Sequence, residues 1–328
     1  MKVVITGGTG FIGRMLARSI LARGRLTGPS GAQEEVDAIT LFDAVEPLAP
    51  LEGLDGRAKV VIGDIADKDL VFGLLDRDDV SVFHLASVVS GGGEKDFDLA
   101  IRVNLMGGLN VLEAARARAG APRLVFASSL AVFGGSAMPA VVGDTTKQTP
   151  QTTYGVTKSI GELLINDYTR KGFIDGRAAR LPTIVIRPGR PNLAASGFAS
   201  GVFREPLDGA PCALPVKLDT VMPVLGYRSA VAGFIALHEA APEALGDDRT
   251  VNFPSLSVTV EEMIAALRRV AGNRHLGEIT HQPDAAIAAI VATWPVATEF
   301  ARAGALGLPV EDSLDDIVRA YIEDFLDA

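Results

Sequence analysis

The chain is poor in the residues that form disulfides or hold metals. It has one cysteine, Cys212, and four histidines among 328 residues. A single thiol cannot form an internal disulfide. The histidines show no metal-binding spacing with one another or with the cysteine, so we expect no metal site.

Basic segments and long apolar runs are also missing. The net charge is -9 and no basic run stands out, which argues against a nucleic-acid partner. No uninterrupted apolar stretch is long enough to cross a bilayer, and glycines break up the first apolar stretch, unlike a secretory signal. We expect a cytoplasmic protein without a membrane partner, large enough for one α/β domain and a smaller lobe.

Glycine, by contrast, is abundant near the start of the chain. A short apolar strand leads into Gly7, Gly10 and Gly13, and an apolar-periodic helix follows. Gly8, Gly10 and Gly13 match the dinucleotide-binding fingerprint, and Gly7, Gly10 and Gly13 match its variant with two residues between each glycine. Glycine is needed because the turn is tight, the backbone must approach a pyrophosphate, and the helix must pack on the strand. Exposed N–H groups of the first helical turn, which contains Phe11 and Ile12, would hold the phosphates.

The second predicted strand, residues 38–42, ends at Asp43. A carboxylate at this position can accept hydrogen bonds from the adenosine ribose hydroxyls. It would repel the additional phosphate of NADP, and no arginine follows in residues 44–47, so the pattern favours NAD. An ordinary turn aspartate is the alternative. Residues 26–36 are polar and glycine-rich, which indicates an inserted loop.

Further predicted strands alternate with helices, at residues 59–63, 80–85, 123–127 and 183–187. This rhythm predicts an α/β fold, a Rossmann-type doubly wound parallel sheet with a smaller C-terminal substrate lobe. We expect an NAD-binding domain over residues 1–188. Residues 189–328 would be mainly the substrate lobe, with some of the helical segments at 230–241, 260–271 and 314–326 returning to the sheet.

Ligands of such sheets bind beyond the carboxyl ends of the strands. The residues that follow the predicted strands there are Asp64, Ile65, Ala86, Ser87, Ser128 and Ser129. His84 falls inside a strand, so a packed, hydrogen-bonded structural role is expected for it.

Tyr154 and Lys158 are four residues apart in a predicted helix. That spacing places them on one face, and a neighbouring cation favours the phenolate of a tyrosine and lowers its pKa. Such a tyrosine can act as a general base on a substrate hydroxyl. Taken alone, the pair is equally typical of a helix with one buried and one solvated face. Its context, after the glycine fingerprint and Ser129, favours catalysis.

Together these motifs resemble the extended short-chain dehydrogenase/reductase family, to which NAD-dependent epimerases and dehydratases belong. The resemblance covers nearly the whole chain and depends on the glycine turn, Asp43, Asp64 with Ile65, residues 83–86, Asn104, Ser129, and Tyr154 with Lys158. Within the family, residues 127–133, 154–162 and 186–200 are most similar to the subfamily that oxidises D-erythronate to 2-dehydro-D-erythronate with NAD, a reaction at the C2 hydroxyl.

The resemblance implies a role for each of these residues. Tyr154 would be the base, Lys158 would lower its pKa and bond the nicotinamide ribose, and Ser129 would hydrogen-bond the substrate oxygen. Further NAD contacts are implied for Gly7, Gly10, Phe11, Ile12, Gly13, Asp43, Asp64, Ile65, Leu85, Ala86, Ser87, Asn104 and Pro188.

Departures from the family pattern reduce the number of reactions that the protein could catalyse. Leu130 and Ala131 follow Ser129 where dehydratases carry Asp-Glu, which argues against dehydration. Many epimerases carry an arginine for the nucleotide diphosphate ahead of a Tyr-x-x-Val-x-Asp stretch. The corresponding region here, residues 219–228, lacks both that arginine and that aspartate. A nucleotide-sugar 4-epimerase with retained NAD is nevertheless the main alternative to a sugar-acid dehydrogenase. A non-catalytic dinucleotide sensor is a third, disfavoured by the Tyr and Lys pair.

A sugar-acid carboxylate needs one well-placed guanidinium. Arg190 and Arg228 are the candidates, with Ser87, Ser128 and Asn192 as hydroxyl-reading partners. Each arginine has an equally good alternative role. Arg190 could hydrogen-bond carbonyls at the end of the sheet, and Arg228 could be an ordinary surface charge.

Homodimerisation is also expected, because members of the resembled family often pair through two helices. Here these would be the helix bearing Tyr154 and the one spanning residues 98–118. Their apolar residues Leu105, Leu109, Leu112, Leu163 and Leu164 are equally explained by packing against the sheet.

Overall fold

A computed structural model describes residues 1–47, 51–190 and 194–327 of the chain. Its centre is a seven-stranded sheet in which every strand pair is parallel. The described strands are β1 Lys2–Thr6, β2 Arg25–Thr27, β3 Gln33–Glu35, β4 Ala38–Asp43, β5 Ala58–Ile62, β6 Val80–His84, β7 Arg123–Ser129, β8 Asp175–Leu181, β9 Thr183–Val185, β10 Cys212–Leu214, β11 Val221–Gly226, β12 Thr250–Asn252, β13 Leu256–Thr259 and β14 Ile279–His281.

Most of the helices lie between these strands along the chain, and α11, α12 and α13 follow the last strand. The described α-helices are α1 Phe11–Arg23, α2 Lys68–Leu74, α3 Ser90–Lys95, α4 Phe97–Ala100, α5 Gly108–Arg116, α6 Thr153–Arg170, α7 Gly197–Leu207, α8 Tyr227–Glu239, α9 Pro242–Leu245, α10 Val260–Ala271, α11 Ala285–Val291, α12 Ala301–Ala305 and α13 Leu314–Phe325. A π-helical segment, Ile101–Gly107, joins α4 to α5, and a 3₁₀ turn, Leu130–Val132, follows β7.

The strand order across the central sheet is β12-β8-β7-β6-β1-β4-β5. The order reverses between β1 and β6, which is the crevice where doubly wound sheets bind ligands. The predicted Rossmann-type α/β fold is therefore confirmed.

Helices cover both faces of this sheet because its central strands are apolar on both sides. All five residues of β1 are buried. On one face, α1 and α8 pack with the sheet around Leu16, Ile20 and Phe234. On the other face, α2, α5 and α6 pack around Val71, Leu112 and Ile165 in a separate apolar cluster.

A second, smaller arrangement of strands lies outside the central sheet. Strands β13, β11 and β9 form a three-stranded sheet, and β10 pairs with β14. Their apolar side chains share one core with α7, α10 and α13. Helix α10 begins at a capping box, in which the Thr259 side chain and Glu262 satisfy each other's backbone N–H groups.

Two predicted elements were wrong. Residues 183–187 do not form a strand of the central sheet; β9 belongs to the smaller sheet, and the neighbour of β7 is β8, Asp175–Leu181. Residues 26–36 are not a plain loop, because β2 and β3 pair there as an antiparallel hairpin.

The described residues form neither a membrane-spanning helix nor a metal-binding cluster. None of the described helices is both long and apolar enough to cross a membrane. Within the same residues, no three His, Cys, Asp or Glu side chains come together in a way that could hold a metal ion.

Candidate active site

The glycine turn between β1 and α1 leaves no room for side chains. Gly7 has a φ of 70°, and a Cβ on it would lie 2.9 Å from the backbone nitrogen of Ala86. A Cβ on Gly13 would lie 2.4 Å from the carbonyl oxygen of Gly7. No side chain caps α1 at Gly10, and its first turn has no acidic residue. The N–H groups of this turn can therefore receive an anion.

A cleft opens beside this turn, at the carboxyl ends of the central strands. Its lining is Gly7, Gly10, Phe42, Asp43, Ala44, Val45, Gly63, Asp64, Ile65, Leu85, Ala86, Ser87, Val88, Leu99, Arg102 and Val103. Asp43 is held at its edge, accepting hydrogen bonds from the backbone N–H groups of Thr9 at 3.1 Å and Ala44 at 2.8 Å. A glycine cradle with a fixed carboxylate at the next strand end fits NAD.

Besides Tyr154 and Lys158, five residues expected to contact NAD lie outside this lining. Phe11, Ile12 and Gly13 form the start of α1. Pro188 follows β9 and lines neither this cleft nor the cavity described below. Asn104 is the fifth of these residues.

Asn104 acts on the loop after β6. Its side-chain oxygen accepts a hydrogen bond from the Val88 N–H at 2.7 Å, and its amide donates to the Val88 carbonyl at 3.1 Å and to Thr157 at 3.2 Å. Its hydrogen-bonding groups are thus used within the protein. Asn104 thus fixes Val88, a residue of the cleft lining, and its contact with the cofactor stays a prediction.

Ser129, Tyr154 and Lys158 come together at the end of β7 and the start of α6. The side chains of Ser129 and Tyr154 are hydrogen-bonded. The Lys158 Nζ lies 5.3 Å from the centroid of the Tyr154 ring and donates to the Ala127 carbonyl at 2.7 Å. The sequence spacing therefore brings all three groups to one place.

Burial controls the pKa values of this group. It raises the pKa of the Tyr154 phenol, and the hydrogen bond with Ser129 opposes the rise. Burial lowers the pKa of Lys158 to about 7, against the charge of Glu162. The pKa of Tyr154 therefore shifts opposite to the direction expected from its pairing with Lys158. A lysine that titrates near neutrality carries only part of its charge there.

A buried ion pair lies behind Lys158. Glu162 and Arg180 are joined by an Oε2–Nη2 contact of 2.8 Å, with side-chain exposures of 1% and 3%. Ser128 donates its hydroxyl hydrogen bond to Glu162, as Gln148 does with its amide. The expected placement of Ser128 against the substrate is corrected, because its hydroxyl is buried in this network.

A second cavity adjoins Ser129 and Tyr154. Its lining is Val89, Ser90, Ser129, Leu130, Ala131, Tyr154, Leu181, Pro182, Thr183, Ile184, Ala194, Ser196, Pro223, Trp294 and Pro295. Among the described residues that line it, none carries a charge, and the polar groups are hydroxyls and the indole. The loop after β6 runs between both cavities, with Ser87 in the first and Ser90 in the second.

The proposed carboxylate-binding arginines lie elsewhere. Arg228, at the start of α8, forms ion pairs with Glu323 and Asp324 of α13 and leaves 46% of its side chain exposed. This corrects its expected placement at the substrate. Arg190 is exposed, outside the cavity lining, and its carbonyl accepts a hydrogen bond from Arg187. Asn192 lies outside the described residues.

His84 is buried in β6 as a structural residue. Its Nδ1 is 2.7 Å from the Thr6 hydroxyl, and burial lowers its pKa to about 3. The expectation of a packed, hydrogen-bonded histidine is confirmed.

Sequence reasoning missed four polar residues of the second cavity: Ser90, Thr183, Ser196 and Trp294. They belong to four separate segments, and no local motif marks them. The only available signal was that Trp294 is the single tryptophan of the chain.

A family comparison agrees with this geometry. Residues 3–252 match the NAD dependent epimerase/dehydratase family. The chain belongs to this family, and its cofactor is NAD. The predicted family and cofactor are confirmed.

Individual relatives are similar over their full length. The D-erythronate dehydrogenase of Cupriavidus necator is 49% identical, with 99% of this chain and 98% of the relative covered. That of Haemophilus influenzae is 39% identical, with 98% and 99% covered. The solved structure of a nucleoside-diphosphate-sugar epimerase from Agrobacterium tumefaciens has a TM-score of 0.90 and 39% identity, covering 100% of this chain and 95% of its own. The predicted enzyme class, an NAD-dependent dehydrogenase, is confirmed.

Proposed function

We propose that the protein oxidises the C2 hydroxyl of D-erythronate to give 2-dehydro-D-erythronate. The observation that carries the proposal is the meeting of Ser129 and Tyr154 at a cavity next to the cofactor cleft. The 49% identity to a D-erythronate dehydrogenase supports the choice of substrate.

In this proposal, Tyr154 removes the proton of the substrate hydroxyl as a general base. Ser129 donates a hydrogen bond to the same oxygen and stabilises its developing negative charge. Lys158, held by the Ala127 carbonyl, supplies positive charge beside the phenol. NAD, when bound in the cleft that Asp43 borders, supplies the hydride acceptor.

The described cavity lining, which carries no charge, indicates which class of substrate the cavity can bind. A nucleotide diphosphate carries two phosphates, which proteins usually bind with cations or helix N-termini. The described lining offers neither lysine nor arginine, so only the N-terminal ends of α3, α6 and α7 could bind them. A single carboxylate is easier to satisfy with hydroxyl donors. We propose that Ser90, Thr183 and Ser196, and not Arg190 or Arg228, bind the substrate carboxylate.

The test is net formation of NADH when purified protein is mixed with NAD and a panel of four-carbon sugar acids. We expect continuous NADH formation with D-erythronate and none with Tyr154→Phe, which keeps the ring but lacks the proton acceptor. Tyr168→Phe is the matched control, because Tyr168 lies on the same helix, away from both cavities. Silence toward every acid would contradict the proposal.

A 4-epimerase is the second candidate, because the similar Agrobacterium tumefaciens protein is a nucleoside-diphosphate-sugar epimerase. An epimerase reoxidises its own cofactor, so added NAD does not accumulate as NADH. Conversion of a UDP-hexose without net NADH would therefore favour the epimerase.

We also propose that the protein is a homodimer that pairs through the helices beside the cofactor cleft. Exposed apolar side chains cluster on α4, the π-helical segment and α6, with Phe97 61% and Leu163 66% exposed, together with Met106 and Val156. Leu112, by contrast, is buried against the sheet. Leu163→Glu should give a monomer in sedimentation experiments. Leu218→Glu, the same change at an exposed leucine elsewhere, should leave the dimer intact.

A further inference from the structure

Trp294 is the chain's single tryptophan, and it lies in the wall of the catalytic cavity. It follows α11, and its backbone N–H donates to the Val291 carbonyl at 3.0 Å. The side chain is half-buried and packs against the core of the smaller lobe. The residue therefore belongs to the smaller lobe while its surface lines the cavity that also contains Ser129 and Tyr154.

The segment after Trp294 is fastened to the part of the chain that carries the catalytic group. Val142 forms a parallel bridge with Thr298. The Val142 N–H donates to the Ala297 carbonyl at 3.1 Å, and the Glu299 N–H donates to the Val142 carbonyl at 2.9 Å. These bonds cross between distant parts of the chain. They fix the position of the indole relative to the catalytic residues, as a pre-organised contact requires.

The indole has unused capacity for binding. Its Nε1–H can only donate a hydrogen bond. Within the part of the chain that the structure describes, this group forms no hydrogen bond and no aromatic side chain stacks on the ring. The described residues of the neighbouring cavity surface are mostly apolar, with hydroxyls but no charged side chain. A donor in such surroundings discriminates strongly between ligands that can accept its hydrogen bond and those that cannot.

We propose that Trp294 is a specificity-determining residue of the substrate site. Its ring packs against the carbon chain of the sugar acid, and its Nε1–H donates to an oxygen of that acid. This inference rests on the proposed function. It assigns to the smaller lobe a direct part in choosing the substrate, whereas Ser129 and Tyr154 act on the reacting hydroxyl.

Kinetics of three variants test the proposal. Trp294→Phe keeps an aromatic ring but removes the donor, and should raise the KM for D-erythronate by roughly 10- to 100-fold. Trp294→Leu also removes the ring face and should raise it further. In both, the KM for NAD should stay within about twofold, because the cofactor cleft is separate. Val296→Ala, in the same segment but outside the cavity lining, is the control and should leave both constants unchanged.

Fluorescence gives a second readout that does not require turnover. In Tyr154→Phe, which retains Trp294, titration of D-erythronate in the presence of NAD should change the tryptophan emission in a saturable way. The signal has one source because the chain has one tryptophan. Thermal unfolding of each variant separates a lost contact from a lost fold.

The outcomes are distinguishable. A wild-type enzyme that oxidises D-erythronate, with an unchanged KM in Trp294→Phe and no emission change on titration, overturns the assignment of Trp294 and leaves the proposed function standing. A wild-type enzyme that oxidises no sugar acid overturns both.

Discussion

The environment of Lys158 determines how the catalytic group responds to pH. Burial lowers its pKa to about 7, and the charge of Glu162, one helical turn further along α6, opposes that effect. Glu162 is itself paired with Arg180 in the interior. The ion pair therefore supports the positive charge beside Tyr154 without touching the substrate cavity.

Glu162→Gln tests this relation. It removes the charge but keeps the size of the side chain, so the pKa of Lys158 should fall further. Less positive charge beside Tyr154 raises the pKa of the phenol, and the rising limb of kcat/KM for oxidation should move to higher pH. Gln148→Ala, which loses a hydrogen bond to Glu162 but keeps its charge, should leave the limb in place. An unmoved limb in Glu162→Gln would show that the pair is purely structural.

Stability provides the accompanying check on that variant. Leaving Arg180 buried without its partner should cost on the order of 3–5 kcal/mol of unfolding free energy. Urea unfolding at a fixed pH measures this loss, so the pH profile can be collected at temperatures where the variant is still folded.

Local and distant contacts explain which residues could be predicted from the sequence. Asp43 and Ser87 were predicted near strand ends, which define such a cleft. Both line it, Asp43 as the last residue of β4 and Ser87 in the loop after β6, and their contact with NAD stays a prediction. Ser128 was predicted to follow a strand, but it lies inside β7 and its hydroxyl meets Glu162, 34 residues later. Arg228 pairs with Asp324, 96 residues away. No local pattern reveals such partners.

At the scale of elements, the missed strand β8 has a physical explanation. Its sequence, DGRAARL, contains two arginines, and charged residues rarely occupy a buried strand. Here Arg177 pairs with Asp175 at 2.6 Å and Arg180 pairs with Glu162. Because these partners neutralise the strand's charges, β8 can lie inside the sheet. The more apolar residues 183–187 were mistaken for it.

The close contact between α6 and the turn after β7 positions Tyr154 beside Ser129. Gly155 makes this approach possible, because a Cβ there would lie 2.1 Å from the Ala131 carbonyl oxygen. Gly155→Ala should therefore push the start of α6 away from Ser129. A displacement of about 1 Å at a catalytic group can reduce turnover on the order of 100-fold.

Turnover and NAD binding of Gly155→Ala measure this effect. We expect kcat to fall while the affinity for NAD changes little, because Gly155 is outside the cofactor cleft. Gly73→Ala in α2 is the matched control: a Cβ there meets nothing within 4 Å, so alanine should keep the activity and add slightly to helix stability. Equal kcat in both variants would contradict the role given to the contact.

For the whole molecule, buried histidines connect folding to pH. His84 and His238 are both buried in or against the central sheet, and burial lowers their pKa values to about 3 and about 4. His238 lies 3.0 Å from the Ser81 hydroxyl and 2.9 Å from the Glu239 carboxylate. The neutral imidazoles are therefore part of the packed interior, and protonating them favours the unfolded chain.

The sign of the effect follows from proton uptake. An unfolded histidine takes up a proton near pH ~6.5, whereas the folded protein resists protonation until pH falls to about 4 for His238 and about 3 for His84. The unfolded state thus binds more protons between these limits, and stability must fall as the pH falls below 6.5. Each histidine contributes a slope of about 1.4 kcal/mol per pH unit in that interval.

Urea unfolding between pH 8 and pH 4.5 measures this slope. His84→Gln should lower stability at pH 8, through lost packing, but should make the decline below pH 6.5 shallower, because one proton-binding site has been removed from the unfolded chain. His275→Gln is the control: His275 is exposed, so its removal should leave the decline unchanged. Parallel pH curves for wild type and His84→Gln would refute the prediction, because they would mean that His84 takes up its proton equally in the folded and unfolded states.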